Sequence, residues 1–179
     1  MTIGTAAPAT GFDPSQLRVG DYFPHKHPFL LIDRVESIDE DRVVAIKAVT
    51  QTEPWFTGHF PERAVLPGVI LLEAMAQTGR FLNPLDEVMV SARLARIDAV
   101  KFIREAVPGD LLRMEARRAG SLGSINKYTV RVTIDGHPCA QADFTTHTVM
   151  VPAADSSLDN STAGVGSDEE GTHRGVTEK

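Results

Sequence analysis

The sequence predicts an α+β domain in which a curved antiparallel sheet of about six strands wraps around one long, buried central helix. Three observations carry that expectation. Residues 67–82 include Val69, Ile70, Leu71, Leu72, Ala74, Met75, Ala76, Thr78, Phe81 and Leu82, so apolar groups face almost every direction. A helix that is apolar all round lies in a core and not on a surface. Six further segments are β-branched or alternate apolar with polar residues, as half-buried strands do. With one helix and about six strands, the sheet is what must cover the helix. Leaving it exposed would cost roughly 1.5–3 kcal/mol for each uncovered Leu, Ile or Phe.

The elements follow in order. Residues 1–14, rich in Ala, Thr, Gly and Pro, read as a flexible arm, and residues 15–151 as the folded domain. Phe29-Leu30-Leu31-Ile32 leads into Val35 and Ile38, and Arg42-Val43-Val44-Ala45-Ile46-Lys47-Ala48-Val49 returns across the acidic turn Asp39-Glu40-Asp41, as a hairpin would. Residues 51–66, with Pro54, Gly58 and Pro61, form an irregular loop. Pro67 suits the first position of a helix, because its missing amide hydrogen is not needed there. The helix stops before Asn83-Pro84. Strands are expected at 93–102, 111–119, 126–134 and 138–150, with Asp135-Gly136 as the hairpin turn between the last two. One helix inside such a sheet is the hot-dog architecture.

Composition narrows the class. A chain of 179 residues suits one domain, and 42% hydrophobic with 23% charged residues is ordinary for a soluble protein. The single cysteine, Cys139, allows no internal disulfide and fits a reducing compartment. No apolar run approaches the roughly 18–20 residues of a membrane helix, so no membrane association is expected. The first residues have neither a basic stretch nor an apolar one after it, so the expected location is cytoplasmic. A net charge of −6 argues against a nucleic-acid binder. Residues 152–179 carry Asp155, Asp159, Asp168, Glu169, Glu170 and Glu178 against Arg174 and Lys179, with few apolar side chains, and read as a disordered acidic tail. Residues 91–131 are the opposite, with a net charge of +5.

The chemistry sits around the helix. Its polar residues Glu73, Gln77 and Arg80 are spaced four and three apart and share one stripe. Such a stripe usually faces water, but this helix is otherwise too apolar to be at the surface. A carboxylate on a buried helix must be partnered, neutral or functional, and burial makes it a better proton donor near neutral pH. His59 lies in the Pro-rich loop before the helix, so a loop base and a helix acid are available. Between them, Pro67-Gly68-Val69 opens the helix with unbonded amides at Gly68 and Val69, suited to an oxygen gaining negative charge. Gly68 has no side chain to keep a ligand from its amide. Base, oxyanion donor and acid together suit enolate chemistry. His25 and His27 stand two apart without a Cys or carboxylate cluster, so no metal site is expected.

Longer motifs make the sequence recognisable. These are Pro24-His25-Lys26-His27-Pro28-Phe29-Leu30-Leu31-Ile32-Asp33-Arg34, Glu53-Pro54-Trp55-Phe56-Thr57-Gly58-His59-Phe60-Pro61 and Leu66-Pro67-Gly68-Val69-Ile70-Leu71-Leu72-Glu73-Ala74-Met75-Ala76-Gln77. With Ile97-Asp98-Ala99-Val100-Lys101-Phe102 and Val107-Pro108-Gly109-Asp110 they closely resemble the FabZ-type (3R)-hydroxyacyl-acyl-carrier-protein dehydratases. The resemblance spans roughly residues 16–151. It implies a hot-dog fold and dehydration of a 3-hydroxyacyl thioester to the trans-2-enoyl thioester in acyl-chain biosynthesis, without cofactor. It also implies a homodimer, further assembled into a hexamer as a trimer of dimers, whose sites lie at the interface, with His and Glu of one site coming from opposite subunits. On that match His59 is the base, Glu73 the acid, Gly68 the oxyanion amide beside Val69, and Gln77 the support of Glu73. The chain departs from the family's usual pattern at Glu62-Arg63-Ala64, at Arg80 where small or apolar residues are usual, at Ala92-Arg93-Leu94 and at residues 119–126.

Acyl carrier proteins are acidic. The basic segment therefore suggests docking of the carrier by Arg93, Arg96, Lys101, Arg104 and Lys127. Three alternatives share the fold. A thioesterase would use the helix carboxylate without the loop His, a silent domain would only bind the carrier, and a pathway-specific dehydratase would serve polyketide or other secondary metabolism. Isomerising relatives usually place Asp where Glu73 stands, so isomerisation is not expected.

Overall fold

Residue 13 and residues 17–83 and 90–150 are described by the computed structural model. The expected arm and acidic tail lie outside these residues, residue 13 excepted. Six strands form one antiparallel sheet: β1 (Arg34–Ile38), β2 (Arg42–Ala48), β3 (Val90–Phe102), β4 (Leu111–Leu122), β5 (Ile125–Ile134) and β6 (His137–Met150). Their spatial order is β1-β2-β4-β5-β6-β3. Among the described residues one α-helix, α1 (Gly68–Arg80), packs on the inner face of that sheet.

Alternation along the strands sets which face meets the helix. In β5 the inward residues Asn126, Tyr128, Val130, Val132 and Ile134 are buried, while Ile125, Lys127 and Arg131 are exposed. Leu112, Met114 and Ala116 of β4 and Ala140, Ala142 and Phe144 of β6 complete the inner face. Leu71, Ala74, Met75 and Thr78 of α1 fill the space they enclose. Only Val69 of the helix is exposed, at 72%. The apolar girth of the segment thus has its expected cause. Gly79 is needed for this contact: a Cβ there would sit 2.0 Å from Tyr128 Cε2.

The turns follow local chemistry. Asp135 and Gly136 join β5 to β6 with φ of 52° and 78°, the left-handed pair that a two-residue hairpin requires. The β4–β5 hairpin is longer than expected, since β4 runs to Leu122 and turns at Gly123, φ 59°. The 29–32 segment is not strand: Leu31 and Ile32 are buried, but pairing with β2 starts only at Arg34. The helix begins at Gly68, with Pro67 as its cap, and ends at Arg80, two residues before the expected Leu82. A β-rich pattern reports burial and not hydrogen bonding, which is why an apolar coil such as 29–32 looks like strand in sequence.

Two polar contacts hold the loop between β2 and α1. Lys47 is buried and bonds Glu53 Oε2 at 2.9 Å, while Glu53 Oε1 accepts the Thr50 amide at 2.8 Å. Further on, the Leu66 amide donates to the Ala106 carbonyl at 2.8 Å, pinning the loop against the segment after β3.

Candidate functional site

Burial and one glutamine set the helix side of the site. Gln77, 2% exposed, lies one turn after Glu73. Its Nε2 donates to Glu73 Oε1 at 2.9 Å and to the Phe29 carbonyl at 2.8 Å, and its Oε1 accepts the Leu31 amide at 2.9 Å. One side chain thereby fixes the carboxylate and anchors the coil at 29–31 to the helix. Among the described residues Glu73 Oε2 has no hydrogen bond, so that oxygen is available to a substrate.

Glu73, Gln77 and Arg80 all line one cavity of about 240 Å³. The stripe of the sequence is therefore a cavity wall. Phe23, Phe29, Ala76, Ala92 and Leu94 supply its apolar lining, and His25, Tyr128 and Thr146 its other polar groups. Burial holds the Tyr128 phenol well above its ordinary value, so it remains a hydrogen-bond donor. Desolvation lowers the Arg80 guanidinium from its ordinary value. Among the described residues no group of His, Cys, Asp and Glu is arranged to hold a metal ion.

His59 is placed by its own loop. Its amide donates to the Trp55 carbonyl at 2.9 Å, and its carbonyl accepts from the Val65 amide at 3.1 Å. The ring Nδ1 lies 2.8 Å from the Val65 carbonyl oxygen. A carbonyl can only accept, so Nδ1 carries the hydrogen and Nε2 keeps its lone pair in the neutral ring. Phe60 stacks on the imidazole with ring centroids 4.0 Å apart. Arg63 of the same loop ion-pairs with Glu105, just beyond β3.

The helix N-terminus differs in one respect from expectation. The first helical hydrogen bonds run from Ile70 and Leu71 to the Pro67 carbonyl at 2.9 and 3.0 Å, leaving the Gly68 and Val69 amides at the open end. The space where a Gly68 side chain would lie is taken by Phe102, whose Cζ would be 2.9 Å from that Cβ. The glycine therefore serves close packing of this ring, and not only access of a ligand to the amide. Glu73 lines the cavity described above, and His59 is not among the residues that line it.

The basic residues divide. Arg93, Arg96 and Lys101 of β3, Lys127 of β5, and Arg104 are all exposed. Arg96 is paired with Asp98 at 2.7 Å and Arg104 with Asp110 at 3.4 Å. Across the sheet, Lys127 is level with Thr145 and Arg96, and Arg131 with Gln141 and Lys101. Arg131 thus joins this face, although sequence reasoning left it out of the docking set. Sequence reasoning also missed His25, Tyr128 and Thr146 as cavity residues. Only the histidine had a signal, its place in the Pro24–Phe29 motif; the other two lie on strands distant in the chain.

A sheet wrapped around one helix puts the molecule in the hot-dog class, and a cavity with an anchored carboxylate suits it to acid–base chemistry on an acyl chain. Residues 23–143 match the FabA-like domain model. The 3-hydroxyacyl-[acyl-carrier-protein] dehydratases FabZ of Staphylococcus carnosus (strain TM300) and of Staphylococcus aureus (strain Newman) are each 43% identical over 139 residues, covering 76% of this chain and 94% of theirs. The chain belongs to the FabA-like family and, within it, to the FabZ-type hot-dog dehydratases. Among solved structures, the dehydratase heterocomplex ApeI:P from Xenorhabdus doucetiae aligns with a TM-score of 0.61 at 17% identity, covering 74% of this chain and 91% of that one. A hypothetical thioesterase with coenzyme A from Streptococcus pneumoniae TIGR4 aligns with a TM-score of 0.52 at 14% identity, covering 66% and 87%. These two share the fold alone.

Proposed function

We infer that this chain is a 3-hydroxyacyl-[acyl-carrier-protein] dehydratase, a hydro-lyase of fatty-acid biosynthesis that removes water from a carrier-bound hydroxyacyl thioester. The observation that carries the chemistry is the Gln77-anchored Glu73 in the cavity wall; the loop before α1 supplies a histidine held with Nε2 as acceptor. Removal of a C2 proton by His59 Nε2 gives an enolate. Its oxygen takes hydrogen bonds from the Gly68 and Val69 amides at the positive end of α1. Glu73 delivers a proton to the C3 hydroxyl, which leaves as water, and Gln77 keeps the carboxyl in place. A thioesterase has no need of the pinned imidazole.

A homodimer completes the site in this reading, with His59 of one protomer facing Glu73 of the other, and three dimers form a hexamer. Two observations support pairing. β3 is an edge strand, with Leu94 and Val100 exposed along it. Phe60, Val69, Phe102 and Ile103 are exposed apolar side chains on the histidine loop, at the helix N-terminus and at the end of β3. The carrier docks on the face bearing Arg93, Arg96, Lys101, Arg104 and Lys127.

Mass spectrometry of a 3-hydroxyacyl carrier protein after incubation tests the activity. Loss of one water is expected. Release of the free carrier thiol would make the chain a thioesterase, and an unchanged substrate would make it a binding domain.

A further inference from the structure

Arg80 is unlike the rest of the cavity wall. It lies seven residues beyond Glu73 on the same stripe, about 10 Å along the axis at 1.5 Å per residue. A basic residue in the last turn of a helix complements its dipole, which accounts for an arginine at that end but not for one that lines the cavity. It is not the only polar group there. His25 Nδ1 is buried without a hydrogen-bond partner among the described residues, and Tyr128, kept protonated by burial, and Thr146 line the same space. A purely alkyl chain would leave His25 Nδ1 unsatisfied, whereas the Tyr128 hydroxyl already reaches the Ala76 carbonyl at 3.5 Å. A guanidinium presents five donors in a rigid fork and stays charged, so it holds a carboxylate, hydroxyl or carbonyl oxygen without surrendering its other contacts.

We propose that Arg80, with His25 and Tyr128 beside it, makes this dehydratase selective for hydroxyacyl chains that carry a second oxygen function beyond the reacting carbons. The proposal rests on the dehydratase reading above and names its substrate class. With C3 at Glu73 and an extended chain advancing roughly 1.3 Å per carbon, that oxygen belongs about five to eight carbons further along, since the Arg80 side chain leans back toward the helix N-terminus. From β3, Ala92 and Leu94 line the same cavity.

The test uses the full chain and three probes: the 3-hydroxydecanoyl thioester of N-acetylcysteamine, its analogue with a terminal carboxylate and its analogue with a terminal alcohol. Wild type is expected to favour at least one oxygenated probe by about 10-fold or more in kcat/KM, the low end of what unpaired polar groups in a site impose. Preference for both marks a general acceptor site, and preference for the carboxylate alone an anion site. Arg80→Leu is expected to lose or reverse the preference, and Arg80→Lys to keep it only for the carboxylate. Equal or better turnover of the plain chain by wild type overturns the proposal, whether or not the leucine variant folds. So does a preference that survives in both variants, because a residue with a merely structural role changes all three probes alike. If no probe or carrier-bound substrate loses water, the dehydratase reading fails, and this inference with it.

Discussion

Gln77 uses both hydrogens of its amide inside the protein, on Phe29 and Glu73, and its oxygen on Leu31. Glu73 is thus positioned before any substrate arrives, and His59 is fixed as a tautomer by a single carbonyl. His59→Ala and Glu73→Gln are each expected to lower dehydration by at least about 100-fold, the scale of a general acid or base. Both should remain folded by circular dichroism; near wild-type turnover in either folded variant removes its assigned role. A different carboxylate contributes to acid stability. Glu115 takes a hydrogen bond from Arg42 at 2.7 Å and another from Arg117 at 2.7 Å, and the Arg42 bond first of all lowers its pKa below the ordinary 4.5. The folded value lies below the unfolded one, so its stabilisation is complete above about pH 4.5 and is lost as pH falls through the folded value. Glu115→Gln should therefore lower stability at pH 7 and make the loss on acidification shallower. Urea midpoints across pH 3 to 7 would show parallel curves if the pairing contributes nothing.

At the scale of elements, α1 and β5 meet where Gly79 faces Tyr128. Alanine ordinarily favours a helix over glycine by about 1 kcal/mol. Here the added Cβ enters a ring that is 3% exposed and stacked on Phe144, with centroids 5.7 Å apart, so ring and helix must shift to admit it. Overpacking of about 1–3 kcal/mol outweighs the propensity, and Gly79→Ala is expected to destabilise the protein. Urea denaturation reads the sign directly, and a stabilised variant would mean that the helix and sheet separate easily at this contact.

For the whole molecule, it matters most that His59 is not among the residues that line the Glu73 cavity. If two protomers share each site, co-expressed His59→Ala and Glu73→Gln chains should regain activity that neither has alone, since some heterodimers hold one intact site. Verified heterodimers without activity would place acid and base in the same chain. The carrier face predicts a different dependence. Exposed charges act over roughly 8–10 Å at 0.1–0.15 M salt, so charge reversal at Arg93, Lys101 and Lys127 should raise KM for carrier-bound substrate more at low salt than at high. An equal rise for a small thiol ester would sink the docking role, because that substrate has no carrier.

Local chemistry was enough for much of this molecule. Pro67 before an apolar run marked the helix, Asp135-Gly136 marked a hairpin, and alternation marked the strands, because caps, turns and pleats depend on residues a few positions apart. His59 and Glu73 stood out as candidates for the same reason, lying within one short window of the chain. The buried coil at 29–32 was not, since burial and strand pairing leave the same apolar mark. Nor was the cavity. His25, Arg80, Leu94, Tyr128 and Thr146 come from five separate segments, and only the closure of the sheet around α1 brings them to one wall. Arg80 could be read as a polar residue on a stripe; that the stripe lines a cavity was decided by long-range packing, which sequence spacing does not encode.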